Sequence, residues 1–155
     1  RALTLRGGRV IARPYLPGLP LAPATLEGAP TDEAGARVAE LVGSRSWRLA
    51  FDASYEGVLA VRIGSDSGLS ITLEERRLTV DLSGTRYPHG GRRIVTLDEG
   101  EASRVEILHD RSITEIYLGD GSRVFTTRTF LQGEGAGVTL SGAASVTNVS
   151  AARAD

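Results

Sequence analysis

Cysteine, methionine and lysine are all missing from this sequence of 155 residues. Without cysteine there is no disulfide framework and no thiolate metal site. Two histidines, His89 and His109, are too few for a histidine-rich metal centre, so neither a metal nor a cofactor is expected. Methionine is absent even from position 1, so the chain is expected to be a processed or excised piece, with any leader lost upstream. All 18 basic residues are arginine, which reads as coding bias in a GC-rich genome. Neither sign of charge is in excess: the net charge is −1, with no acidic or basic block. That removes the electrostatic footprint expected of a nucleic-acid or anionic-membrane binder. No apolar run approaches the roughly 20 residues of a membrane-spanning helix.

What is present is one domain's length of ordinary composition, 41% hydrophobic and 24% charged. A single domain of this size buries roughly 70% of its unfolded surface, enough for a core without staples. Helix signals are few. The best is Thr31–Gly43, with a cap at Thr31 or Asp32 and a stop at Gly43, although "ARVAELV" within it reads equally as a strand. Strand signals dominate. "LTLRGGRVIAR" sets Gly7-Gly8 between two alternating runs, a hairpin pattern. "SWRLAFDAS", "GVLAVRIG", "GLSITLEE", "RLTVDLSG", "RRIVTLD", "SRVEILH", "ITEIYLG", "RVFTTRTF", "AGVTLSG" and "SVTNVSA" follow, each bounded by turn formers. This spacing predicts an all-β fold, an antiparallel two-sheet β-sandwich of jelly-roll or concanavalin-like type with at most one short helix. Arg13–Pro23 holds four of the six prolines and is expected to run extended over the surface. The expected organisation over 1–155 is an opening hairpin at 1–13, a proline-rich surface segment at 14–35 and the sandwich at 36–152.

The stretch from His109 to Phe130, "HDRSITEIYLGDGSRVFTTRTF", carries the densest polar pattern. Placing Asp120-Gly121 at the centre of a type I′ turn makes Tyr117 face Val124, Ile116 face Phe125 and Glu115 face Thr126. One face then carries Thr114, Ile116, Phe125 and Thr127. The other carries Ile113, Glu115, Tyr117, Val124, Thr126 and Arg128, with Asp110 and Arg111 at its base. A carboxylate, a guanidinium and a phenol on one face suit the hydroxyls and apolar side of a sugar. The same residues equally suit a cross-strand ion pair, with Asp110 and Ser112 holding the turn through backbone bonds and Glu115 meeting Arg128 or Arg111. Both readings stay open.

The residues of "VEILHDRSITEIYLGDGSRVFTTRTF" resemble a characteristic stretch of the C-terminal β-sandwich of glycoside hydrolase family 32, the invertases, levanases and inulinases. The matching positions are Asp110, Arg111, Ser112, Glu115, Tyr117, Gly121, Thr126 and Arg128. "RALTLRGGRVIARP" is similar to the family's opening of the sandwich, and "GVLAVRIG" and "RLTVDLSGTRYP" to its middle strands, with Asp81 at the usual acidic position. Leu82 stands where the family more often has arginine, and the proline-rich stretch departs from the usual linker. The resemblance implies that catalysis in the parent enzyme belongs to a five-bladed propeller. The motifs it would carry, Asn-Asp-Pro-Asn-Gly, Arg-Asp-Pro and Glu-Cys, do not occur here. A retaining glycosidase needs two carboxyls about 5–5.5 Å apart. Spacing alone does not exclude Asp110 and Glu115, but nothing in the sequence supplies a pocket that would separate their pKa values.

Other signals are bland. Trp47 alternates in phase with Leu49 and Phe51 and is expected in the core rather than as a sugar platform. His109 is expected to bond the backbone near its turn. "YPHGG", Tyr87–Gly91, gathers possible sugar contacts but is already explained as a turn by Pro and Gly. Asn148-Val149-Ser150 fits a glycosylation pattern that is common by chance, and "LEERRL" reads as a solvated hairpin end.

The resemblance thus implies a non-catalytic C-terminal module of a retaining β-fructosidase acting on sucrose or fructans. Its expected partner is the parent's propeller, and its expected role is to stabilise it, with a homo-oligomer interface as a further role. A fructan-binding module, with sucrose or fructan at Asp110, Arg111, Glu115, Tyr117 and Arg128, is the alternative; an unrelated lectin-like sandwich is the third. Sugar preference, oligomeric state and compartment, bacterial cytoplasm or exterior, stay open.

Overall fold

The computed structural model describes residues 1–23, 29–30, 38, 45–64, 68–132 and 137–154. The candidate helix Thr31–Gly43 lies outside them except for Val38, which is helical and fully buried in the core. The remaining elements are strands, β1 (Ala2–Arg6), β2 (Arg9–Arg13), β3 (Ala22–Pro23), β4 (Ala29–Pro30), β5 (Ser46–Ile63), β6 (Leu69–Glu74), β7 (Arg77–Asp81), β8 (Arg92–Thr96), β9 (Arg104–Asp110), β10 (Ile113–Leu118), β11 (Arg123–Arg128) and β12 (Val138–Ala154).

Two of these strands are longer than the sequence pattern predicts. "SWRLAFDAS" and "GVLAVRIG" fuse into β5, and "AGVTLSG" and "SVTNVSA" fuse into β12. The physical reason is a shared corner. The first half of β5 pairs with β9 through Ser46–Asp52, and its second half pairs with β6 through Leu59–Ile63. β12 follows both halves, and its register slips between Gly142 and Ala144. At that slip Gly142 has φ +116°, and a Cβ there would lie 2.0 Å from the Val58 carbonyl oxygen. The corner therefore requires glycine. Around it Ser54, Glu56, Gly57 and Val58 are exposed, so the alternation lapses and two strands seem to be written where one bends.

Every pairing is antiparallel. One layer orders β11-β10-β9-β5 and the other continues β5-β6-β7-β8, with β12 alongside β5 throughout. Inward residues alternate along each strand: Trp47, Leu49 and Phe51 on β5, Leu69, Ile71 and Leu73 on β6, Val105 and Ile107 on β9, and Ile116 on β10. They form one cluster that spans both layers. The proline-rich segment turns at Leu16–Leu19 and then lends Ala22 and Pro23 to the edge of β12, an edge position being one that proline tolerates.

The opening hairpin is a separate two-stranded sheet. Gly7 and Gly8 both have positive φ, as its two-residue turn demands. Register places Leu3 opposite Ala12 and Leu5 opposite Val10 on one face, and Thr4 opposite Ile11 on the other. Only Ile11 is buried.

Candidate functional site

The polar hairpin forms with the predicted register: Glu115 opposite Thr126, Ile116 opposite Phe125 and Tyr117 opposite Val124. Its turn differs from the expected type. Positive φ falls on Gly119 and Gly121, not on Asp120, because the pairing ends at Leu118–Arg123 and leaves a four-residue loop. Tertiary contacts shape that loop: Gly119 N–H donates to the Arg104 carbonyl, and the Gly121 carbonyl accepts from Ala12 N–H at 3.0 Å. A Cβ on Gly121 would sit 2.2 Å from the Ala12 carbonyl oxygen, so the opening hairpin is seated on a residue that only glycine can be.

Asp110, Arg111 and Ser112 make the turn between β9 and β10. Arg111 takes φ +52°, which is uncommon without glycine, and its N–H donates to the Arg45 carbonyl. Ser112 acts through its main chain, its N–H meeting Asp110 O and its carbonyl accepting from Thr129 N–H. The Asp110 carboxylate accepts instead from the Ser46 hydroxyl at 2.7 Å, tying the turn to the start of β5 rather than to nearby amides.

Glu115 does not pair with Arg128 or Arg111. Its carboxylate meets the Arg1 guanidinium, with Nε at 3.0 Å, and accepts from the Tyr117 hydroxyl at 2.5 Å. Arg1 also donates to Thr126 and lies over the Tyr117 ring. The reason is competition. The opening hairpin delivers Arg1 onto this face, while Arg128 settles over Phe130, 5.1 Å from its centroid. Burial alone would raise the Glu115 pKa, but the bonds from Tyr117 and Arg1 outweigh it and hold the carboxyl below its usual range. Tyr117 is raised, first by burial and then by its bond to Glu115. Glu115 is thus kept ionised, the opposite of what a general acid requires. Tyr117 is only 2% exposed and offers no open ring for stacking.

Beside this cluster a groove of about 650 Å³ opens between the opening hairpin and the outer sheet face, lined by Arg13, Leu21, Arg48, Arg104, Glu106 and Tyr117. Its charges are paired. Arg48 meets Glu106, and Arg104 meets Asp52 at 3.0 Å, where Asn148 also donates to Asp52 at 2.7 Å. Sequence reasoning passed over Arg48, Arg104 and Glu106, because they are merely the polar members of alternating strands until register sets them side by side. On the inner face, His109 is fully buried against Trp47 and bonds the Thr114 hydroxyl at 2.9 Å, not the backbone. Burial lowers its pKa to about 4, against a smaller opposing pull from Asp110. Among the described residues no group of three or more His, Asp or Glu could hold a metal ion.

Comparison with known proteins places this geometry. The family model described as "Glycosyl hydrolases family 32 C terminal" matches residues 30–154. Among solved structures, sucrose-6-phosphate hydrolase from Lactobacillus gasseri aligns at a TM-score of 0.74 and 16% identity, covering 99% of this chain and 32% of that one. Fructofuranosidase from Schwanniomyces occidentalis aligns at 0.66 and 12%, covering 93% and 36%. Exo-inulinase from Aspergillus awamori aligns at 0.60 and 14%, covering 97% and 33%. At these identities the likeness establishes the fold, and the chain spans about a third of each structure. No curated protein matches the sequence.

Proposed function

Because this chain belongs to glycosyl hydrolase family 32 as its C-terminal β-sandwich, we propose that it is a non-catalytic module that docks onto the catalytic propeller of a retaining β-fructosidase and stabilises it. The parent's substrate class would be sucrose or fructans. One observation carries the reading. The opening hairpin is fixed to the sandwich by its Ile11 side, yet its other face is apolar and bare. Leu3 is 67% exposed, Leu5 74% and Val10 61%. Such a patch on a rigid sheet is what a partner domain covers. The hairpin is rigidly held: Ala12 bonds Gly121, Arg6 meets the Asp120 carboxylate at 3.0 Å and Arg13 donates to the Asp120 carbonyl.

The test is to express this chain apart from the catalytic domain it is proposed to accompany and to measure their reassociation by calorimetry. Binding that Leu5→Asp abolishes is expected. Absence of binding, or binding indifferent to Leu5 and Val10, contradicts the docking role. A homodimer in sedimentation that Leu5→Asp dissolves would reassign the face to self-association.

A further inference from the structure

At the other end of β11 from the Gly119–Ser122 turn lies a second surface, built differently. The loop between β7 and β8 is folded down firmly. Thr85 N–H and Oγ1 both donate to the Leu82 carbonyl, Leu82 N–H donates to the Gly91 carbonyl, and Gly91 N–H donates to the Pro88 carbonyl. Arg86 N–H donates to the Phe130 carbonyl at 2.8 Å, fastening the loop to the chain just beyond β11. A Cβ on Gly90 would lie 2.3 Å from Leu82 Cδ1, so the loop packs closely over the buried Leu82 side chain.

This scaffold presents rings. Tyr87 is 47% exposed, meets Phe130 edge-on at 5.1 Å and stacks parallel to His89 at 6.3 Å. Guanidinium groups lie over the rings: Arg86 over Tyr87 at 5.5 Å, Arg128 over Phe130 at 5.1 Å and Arg93 over Phe125 at 5.7 Å. Among the described residues none of these three arginines has a carboxylate partner. On the groove side, by contrast, Arg6, Arg48 and Arg104 each face one. The Asp81 carboxylate at the end of β7 is occupied by the N–H and hydroxyl of Ser83 and feels Arg92.

We propose that the Arg86–Tyr87–His89–Arg128–Phe130 surface binds a saccharide chain bearing anionic groups, carboxylate or phosphate. A guanidinium laid on a ring is oriented without being neutralised. Its in-plane N–H fork remains free for a carboxylate or phosphate, which it meets in two places. The exposed Tyr87 ring offers the apolar surface that the C–H side of a sugar ring covers. A neutral sugar's hydroxyls can accept from a guanidinium but leave its charge uncompensated, and an acidic peptide has little use for an open ring. The combination selects a ligand with both features. The surface is distinct from the docking face and does not depend on it.

Binding should be measured by calorimetry with oligogalacturonate as the carboxylate probe, a phosphorylated mannan as the phosphate probe, and levan and polyglutamate as neutral and non-saccharide controls. The expected result is binding to at least one anionic saccharide, with the stronger of the two naming the anion. The Arg86→Gln/Arg128→Gln double variant should weaken it by about tenfold or more, since hydrogen bonds to charged groups are the strong ones. Tyr87→Ala should weaken it as well. Arg62→Gln, which removes one exposed arginine of β5, should change it less than about twofold. The proposal is overturned if neither anionic saccharide binds, if levan or polyglutamate binds as tightly, or if Arg62→Gln costs as much as the double variant.

Discussion

The two hairpins of this chain are written in the same alternating code and meet opposite fates. In β10–β11 the inward side chains Thr114, Ile116 and Thr127 are buried, because the opposite layer of the sandwich covers them. In β1–β2 the equally apolar Leu3, Leu5 and Val10 stay mostly exposed, and the side that docks is the one bearing Ile11 and three arginines. Alternation announces that a face will be covered. It does not say by what. The hairpin whose apolar face finds no cover among the described residues is the one proposed to meet a partner.

The largest expected effect lies in the covered half. Trp47 is fully buried, and Trp47→Ala should destabilise the chain by about 3–5 kcal/mol in urea denaturation. A smaller loss would mean that the sandwich core does not carry the stability assigned to it. Next comes acid. Unfolded His109 protonates near its ordinary value of 6.5, whereas the folded residue does so only near 4. Between those values the unfolded chain binds more protons, so stability should fall by about 3 kcal/mol as pH drops through that window. His109→Gln should flatten that slope. The contribution of Glu115, whose pKa is lowered in the fold, is lost further down, below its ordinary 4.5.

Two smaller effects probe the seam between the halves. Gly121→Ala combines a left-handed φ with a clash on the Ala12 carbonyl, and should cost about 1–3 kcal/mol. Amide exchange should show the β1–β2 protons losing protection while those of β5 keep theirs. Unchanged exchange at Ala12 would mean that Gly121 does not seat the hairpin. Glu115→Gln leaves Tyr117 a neutral acceptor and Arg1 no counter-charge, and should cost about 1–2 kcal/mol. An equal cost in an Arg1-deleted chain would show that Arg1 is not its partner.

Much of this fold was legible in the sequence, and the reasons are local. Period-two alternation names the buried side of β6, β9 and β10, Gly7-Gly8 names its turn, and the pattern around Gly121 sets the pairing of Glu115 with Thr126. What was not legible depends on pieces far apart in the chain. The β5–β12 corner hides as an interruption in two strands. The partner of Glu115 is 114 residues away at Arg1, while Arg128, far closer in sequence, prefers the face of Phe130. The arginine-and-aromatic surface arises because Arg86 and Arg128 are brought together by the bond from Arg86 N–H to the Phe130 carbonyl, so a chain with no basic block still has a basic face.

The smallest expected effect in the chain by itself gives the most direct test. Leu5 and Val10 are mostly exposed and face each other across the hairpin, so the opposite-charge pair Leu5→Arg/Val10→Glu should shift the stability of the isolated chain by no more than about 0.5 kcal/mol per site. The decisive measurement is the melting temperature of that double variant in the isolated chain and in a protein that joins it to a family 32 catalytic domain. The docking account predicts no appreciable shift in the first and a drop of several degrees in the second, from charge placed in a covered apolar interface. Equal shifts in both would contradict it.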